Sequence, residues 1–467
     1  MKVVFISNIL RQARCLRRIQ DFIDRGYEVK VYVFDREGDC RALPAYEYEC
    51  IGVIANGDSY LKRLSIIREG VSKVFKKEGK DCLYYIFSLD IAIVAKLLSY
   101  IPLSPTDSSP KQGSSIRESL SGHTAQQSTP QSPSDSSSRQ GSSIRESLSG
   151  HTPQQSTPQS PSDGSSRQGS SFGESLSGHT PQQSTPQSPS DGSSRQGSSF
   201  GKLRYVYEIS DLMELTIKNK LLSKLLVWMN RRIVKHSLLS VYTSEGFVDF
   251  LHPKGTDTEK TVVMPNKLNA HCKSLPLAKE RKTDIQHLRF GFAGAIRTET
   301  MYNLIKVIGE GGKHEVHLYG LFTDENNGRY SIRSLVDQYQ NVFYHGPFKN
   351  PEDLPEIYSH IDIVLCYYLS SKNDLYLEPN KLYEAIYYDC PIIVADGTFV
   401  GRKVKQLNVG YTIDQGDAAS LKAFVNSINQ SDFDEKVAAI KAIDKDKCID
   451  CPEFLFDRLR PILLQVV

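Results

Sequence analysis

The residues best equipped for chemistry stand at 378–385, where the chain reads EPNKLYEA, followed by the apolar run CPIIVA at 390–395. Pro379, then charged and apolar residues at helical spacing, then Pro391, Ile392, Ile393 and Val394 read as a loop, a helix N-terminus and a buried strand. A helix N-terminus carries unpaired N–H groups and a partial positive charge, which suits a phosphate. Lys381 adds a mobile cation there, and Asn380 and Leu382 complete the same turn. Glu384, one turn further on, has two oxygens to accept from the hydroxyls of a ribose. Together these groups could grip a nucleotide diphosphate. The plainer reading is an exposed Lys381–Glu384 pair at neighbouring helical spacing.

Other candidates fall at the ends of predicted strands. Gly294 would let backbone approach phosphates, and Arg297 offers a bidentate cation or a solvated surface charge. Gly346 follows a strand predicted at 342–345. In the first half, YVYEISDL at 205–212 places Glu208 and Asp211 at a strand end. Either could position an acceptor hydroxyl or act as a base, and Asp211 could equally cap a helix. Asn8, Ser88 and Ser244 occupy similar positions. No Asp-x-Asp element stands where a metal would be useful, so neither a metal nor a cofactor is expected. Cys448 and Cys451 form a lone CxxC pair, read as two loop thiols in preference to a zinc or redox site.

The elements that would position these residues alternate. Strands are predicted at 2–6, 28–34, 83–87, 203–209, 240–243 and 261–264, and again at 289–293, 315–319, 342–345, 363–367 and 391–394, with helices between them. That alternation implies parallel β-α-β units and an α/β fold of two doubly wound sheets. Residues 104–201 break it. They are rich in Ser, Pro, Gln, Gly and Thr, and the unit at 111–138 recurs at 139–166 and 167–194. Each unit has too few apolar residues to offset an ordering cost of roughly 1–2 kcal/mol per residue, so a disordered insert is expected. Falling between a helix and a strand, it would leave the sheet on the face away from the ligand crevice. The expected organisation is a first domain at 1–103 and 202–285 around the insert, a second at 286–450, and a terminal helix at 451–467.

The net charge of +3 in 467 residues gives no argument for nucleic-acid binding, and nine scattered cysteines suit a reducing compartment. No secretory signal is apparent, and Asp90 and Lys96 argue against a membrane span at 83–103. Segments 60–80 and 218–235 are basic and amphipathic. They read either as helices lying on anionic lipid or as sheet-packing helices with a solvated basic face.

The 378–385 block resembles the donor-sugar site of retaining glycosyltransferases of the GT-B fold, particularly glycosyltransferase family 4, where Pro-Asn-Lys-Leu-x-Glu is common. The opening from Asn8 through Arg11 and Arg14 to Val29 resembles that family's first turn and helix. The segment 205–212 resembles its strand ending in Glu-x-His-Asp, with Ser210 in place of the His. The chain departs from the pattern at Tyr376, where a second Glu is usual, and at Ala295 and Thr300, where Arg and Lys are. The resemblance implies two facing Rossmann-like domains, the second holding a nucleotide diphosphate sugar through Gly294, Arg297, Gly346, Asn380, Lys381, Leu382 and Glu384. It implies retaining hexosyl transfer, without a covalent protein nucleophile, to a lipid-linked surface glycan in the first domain. The enzyme would be cytoplasmic and peripheral at an anionic membrane. A lapsed, binding-only relative is the alternative. A nicotinamide oxidoreductase is disfavoured because no G-x-G-x-x-G follows the first strand.

Overall fold

The structure is a computed structural model that describes residues 2–8, 13–36, 46–55, 57–79, 82–100, 203–276, 283–296, 299–322, 330–369, 371–414 and 416–464. The predicted insert and Arg297 lie outside the described residues.

Seven strands build the first sheet: β1 Lys2–Ser7, β2 Glu28–Asp35, β3 Tyr48–Val53, β4 Leu83–Ile86, β5 Arg204–Ile209, β6 Leu239–Tyr242 and β7 Thr261–Val263. Six build the second: β8 Arg289–Ala293, β9 Glu315–Tyr319, β10 Val342–Gly346, β11 Ile363–Cys366, β12 Ile392–Ala395 and β13 Gly410–Ile413. Every pairing is parallel. The central strands are apolar and buried, as helices on both faces require.

The first sheet runs β3-β2-β1-β4-β5-β6-β7 and the second β10-β9-β8-β11-β12-β13. Both therefore start at an inner strand and reverse direction there. The reversal leaves a crevice beyond the carboxyl ends of β1 and β4 in one sheet, and of β8 and β11 in the other. Two strands were not foreseen. Tyr48–Val53 and Gly410–Ile413 are edge strands whose patterns carry little apolar signal.

On one face of the first sheet lie the helices Tyr60–Glu78, Leu89–Ser99 and Lys220–His236, through Ile67, Val71, Phe75, Ile91, Leu226 and Ile233. The other face takes the helix Ala13–Asp24 and the final helix Glu453–Leu464. Phe456 of that last helix meets Phe22 at 4.8 Å and carries the Arg25 guanidinium 4.0 Å above its ring. In the second sheet one face is covered by Leu354–Ser359 and Asn380–Tyr387, the other by Glu299–Gly311, Ile332–Gln338 and Ala418–Ser427.

Candidate active site

The second crevice is rimmed by glycines. Gly294, Gly320 and Gly346 close strands β8, β9 and β10. A side chain on Gly320 would sit 1.8 Å from the Gly294 carbonyl oxygen, and φ is +129° there, so only glycine fits. The Gly320 N–H donates to the Gly346 carbonyl at 2.7 Å. Gly346, at φ +83°, has open space where a side chain would stand. Gly294 and Gly346 were sequence candidates. Gly320 was missed, although its position after a predicted strand matches theirs.

The helix Asn380–Tyr387 enters this crevice behind Pro379, and among the described residues no side chain caps it. Its first N–H groups have no partner within the helix. Asn380 is exposed at the tip, but the next turn faces inward. Lys381 Nζ donates to Glu384 Oε2 at 2.7 Å, with side-chain exposures of 5 % and 3 %. Tyr358 OH donates to the same oxygen at 2.7 Å, and Asn380 Nδ2 to Oε1 at 2.6 Å. The pair is neither the mobile cation nor the exposed couple of the two sequence readings. A buried ammonium needs a counter-charge, and Glu384 supplies it. Burial, with Glu384 next, holds the Tyr358 phenol far above its ordinary value, so it remains a donor. Lys381 also reaches the glycine rim, its Cε lying 3.7 Å from where a Gly294 side chain would begin.

Leu382 is corrected. Its side chain is fully buried in the core and its N–H donates to the Pro379 carbonyl at 3.2 Å, leaving neither for a ligand. Glu378, just before the helix, was not a sequence candidate. It is fully buried, accepting from Tyr383 OH and, at 2.6 Å, from Lys403 Nζ on one oxygen, while Oε2 has no hydrogen-bond partner among the described residues.

In the first sheet a cavity of about 100 Å³ opens at the carboxyl ends of β1, β4 and β5. Asn8, Ser88, Glu208 and Asp211 all line it, beside Arg36 and Cys15. Asn8 Nδ2 donates to Ser88 Oγ at 3.2 Å, and Ser88 Oγ donates to Asp90. Burial raises the pKa of Asp90 and drives the Cys15 thiol up to about 11. Glu208 is 1 % exposed and heavily engaged. Arg14 Nε lies 2.8 Å from Oε1, Arg18 Nε donates to Oε2 at 3.4 Å, and Tyr85 OH donates to the same oxygen. Burial opposes the Arg18 charge, yet Glu208 holds that guanidinium above its ordinary pKa. An acid enclosed by two arginines is a fixed counter-ion, which corrects its reading as a base.

Asp211 differs. It is exposed, and its Oδ1 accepts from Asn373 Nδ2 of the second half at 3.4 Å. Asn373 Oδ1 in turn accepts from Leu212 N–H at 2.8 Å. Ser244 belongs to a second strap and does not line the cavity. Its hydroxyl caps Gly246 N–H at 3.1 Å and donates to the Tyr376 carbonyl at 2.6 Å, so its reading as an acceptor-side residue is corrected. Phe250 and Tyr376 meet at 4.9 Å beside it. The loops beyond both sheets' carboxyl ends are thus joined through 373–376. A larger cavity, about 580 Å³, is lined by Met264, Lys267, Tyr383 and Lys403 with Cys448 and Cys451 of the CxxC pair, and none of the donor or acceptor candidates lines it.

Two parallel doubly wound sheets, their ligand crevices joined at the carboxyl ends, define the GT-B fold. The chain is similar to the sucrose-phosphate synthase of Thermosynechococcus elongatus, at TM-score 0.57 and 10 % identity over 100 % of both chains. It is similar to Anabaena HepE solved with UDP-glucose, at 0.56 and 13 % over 99 % of both. It is also similar to WaaG, a glycosyltransferase involved in lipopolysaccharide biosynthesis, at 0.52 and 12 % over 97 % of this chain and 98 % of that one. These likenesses establish the fold. In sequence the chain is 22 % identical over 279 residues to the succinoglycan biosynthesis protein ExoL of Rhizobium meliloti (strain 1021), covering 56 % of this chain and 67 % of that protein. No family model matches.

Proposed function

We propose that this chain is a glycosyltransferase of cell-surface polysaccharide synthesis, moving a hexosyl group from a nucleotide diphosphate sugar to a glycan acceptor with retention of configuration. One observation carries the reading. An uncapped helix N-terminus and a lysine meet a glycine rim at the switch point of the second sheet, where an anionic ligand can approach backbone N–H groups closely. The UDP-glucose bound to HepE and the polysaccharide role in the name of ExoL support the substrate class.

In this reading Asn380, the Gly294 and Gly346 turns and the helix N–H groups hold the diphosphate. Lys381 turns from Glu384 towards phosphate, and Glu384 keeps one free lone pair for a hydroxyl. The bond from the anomeric carbon to the phosphate oxygen breaks, and the nucleoside diphosphate leaves with the electron pair. The acceptor oxygen bonds on the same face, and its proton passes to the departing phosphate. Asp211, exposed where the two halves meet, orients the acceptor, while Glu208 fixes the strand end behind it.

A lipid-linked acceptor is supported by a surface that the sheet does not use. Leu61, Leu221 and Trp228 are 79 %, 80 % and 56 % exposed on the helices Tyr60–Glu78 and Lys220–His236, which both pack against Leu89–Ser99. Lys62, Lys220, Lys224, Arg231 and Arg232 are exposed on the same two helices, a composition that suits an anionic bilayer surface. No described helix is long and apolar enough to cross a membrane.

The deciding experiment is incubation with a panel of uridine, guanosine and thymidine diphosphate sugars. Thermal shift reports binding and mass spectrometry reports nucleotide release. Release with one donor is the expected result. Binding without release in the presence of glycan acceptors would favour the lapsed alternative, and no binding by any donor would remove the reading.

A further inference from the structure

The cavity at the mouth of the first sheet contains a serine turned away from its own helix. Ser88 stands at the N-cap of Leu89–Ser99, where a serine oxygen ordinarily accepts from the N–H groups of the first turn, a bond worth about 1 kcal/mol. Here the hydroxyl makes no cap bond. It donates to Asp90 Oδ1 and accepts from Asn8 Nδ2 at 3.2 Å. Asp90 is 3 % exposed among the apolar residues of that first turn, and its Oδ1 also accepts from the Ile91 N–H at 2.9 Å. Asn8 follows β1, Ser88 follows β4 and Asp90 opens the helix, so one chain of hydrogen bonds ties three elements together.

The direction of each hydrogen follows. A backbone N–H only donates, so Asp90 Oδ1 is an accepting oxygen whether or not the carboxyl is ionised, and an acid proton would sit on its other oxygen. The Ser88 hydrogen is therefore committed to Asp90, and the serine oxygen has only lone pairs left for Asn8. Asn8 must turn its NH₂ towards Ser88, which points its Oδ1 the other way. Among the described residues the Asn8 side chain makes no other hydrogen bond. It lines the cavity, and Asp211, a second group that accepts, lines it too.

We infer that Asp90 is a positioning residue for the acceptor sugar: through Ser88 it locks Asn8 so that Oδ1 accepts from a free hydroxyl of that sugar. The inference rests on the transferase reading for the identity of the ligand. The size of the cavity agrees, since about 100 Å³ is roughly the liquid volume of three waters, enough for the edge of a sugar ring and too little for a nucleotide. The lock also selects. A hydroxyl can donate to the fixed oxygen, whereas an ether or ester oxygen in its place would set lone pair against lone pair, and a site built for one hydrogen bond rejects the analogue that lacks it. Without Asp90 the Ser88 hydrogen is free to turn onto Asn8, the amide is free to flip, and the selection is lost. The missing helix cap fits this role, because local preferences give way where function needs the side chain elsewhere.

The test is a saturation-transfer NMR titration with the methyl glycosides of glucose, galactose and mannose, on the full chain and on Ser88→Ala, Asp90→Leu and Asp90→Asn. Binding of at least one glycoside to the unmodified chain is expected. Ser88→Ala should weaken it about three- to tenfold, the range of one neutral hydrogen bond, while the melting temperature stays near that of the parent because no cap bond is lost. Asp90→Leu removes the accepting oxygen and should weaken binding as much. Asp90→Asn keeps an oxygen that the Ile91 N–H orients, and should restore the parental affinity. A merely structural aspartate would not separate binding from melting in this way, and if Asp90→Leu does not fold, Ser88→Ala and Asp90→Asn still decide. Equal affinity in every protein, an Asp90→Asn as weak as Ser88→Ala, or no glycoside bound by any of them would overturn the relay. The donor panel above judges the transferase reading separately: nucleotide release with equal sugar affinities sinks the relay alone, and the expected sugar affinities with no donor bound sink that reading alone.

Discussion

The two crevices have the same topology and each has a buried carboxylate beside it, on a strand in the first sheet and on a helix in the second, yet they hold it differently. In the first sheet Glu208 is fixed between Arg14 and Arg18 with Tyr85 behind it. In the second, Glu384 has one Lys381, one Asn380 and Tyr358. Two guanidiniums form a delocalised cation that is always charged and offers little freedom. A single ammonium on a flexible stem can leave one anion for another. The first arrangement is a foundation under an open cavity, and the second is a latch that an incoming phosphate can draw upon.

The largest effect is expected from removing the foundation. Glu208→Ala takes from two buried guanidiniums the counter-charge they share, leaving Arg18 with Asp21 at 3.3 Å, and should cost about 3–5 kcal/mol in urea denaturation. An unchanged midpoint would mean that the arginines find water, and that the network is no foundation. At the latch the informative change is double. Either single substitution, Lys381→Ala or Glu384→Ala, leaves one buried charge unpaired and confuses folding with binding. Lys381→Met with Glu384→Gln removes both charges while keeping volume, so stability should stay near that of the parent. Loss of one charge-assisted contact worth about 1.5–3 kcal/mol should weaken the preferred nucleotide sugar by about 10–100-fold. Equal affinity, measured by calorimetry, would place the donor elsewhere.

That the fold was legible and the latch was not has a physical cause. Parallel strands buried on both faces leave continuous apolar runs such as VVFI at 3–6 and IIVA at 392–395, and the helices between them carry their own spacing. Gly294 and Gly346 were legible because strand ends and glycine coincide. What spacing cannot give is which way a turn faces. Lys381 and Glu384 look alike in sequence whether they meet water or the core, and only Tyr358, from a separate helix, settles the matter. Ser244 was misread for the same reason, since its partner Tyr376 is remote in sequence.

A smaller effect is expected at the strap between the halves. Asn373→Ala removes the acceptor of the buried Leu212 N–H and the donor to Asp211, and should cost about 1–3 kcal/mol. Hydrogen exchange should quicken at 211–216 while β5 stays protected. Faster exchange throughout the first sheet would mean that the strap supports the whole domain and not its mouth alone.

The smallest effect concerns a buried acid that neither crevice uses. Glu214 accepts from Asn230 Nδ2 at 2.9 Å through one oxygen, while its Oε2 and Asn230 Oδ1 have no hydrogen-bond partner among the described residues. Burial raises its pKa against the opposing pull of that hydrogen bond, and a neutral acid would have an O–H to offer. The sign follows from linkage. Below the carboxyl's ordinary range both folded and unfolded chains keep the proton, and its contribution is complete. As pH rises the unfolded chain ionises first, so stability drains away until the folded carboxyl ionises as well. Glu214→Gln cannot ionise and should melt higher than the parent at pH 8, with the gap closing towards pH 4. A gap that does not change with pH would mean that Glu214 is already ionised in the fold, held by something other than Asn230.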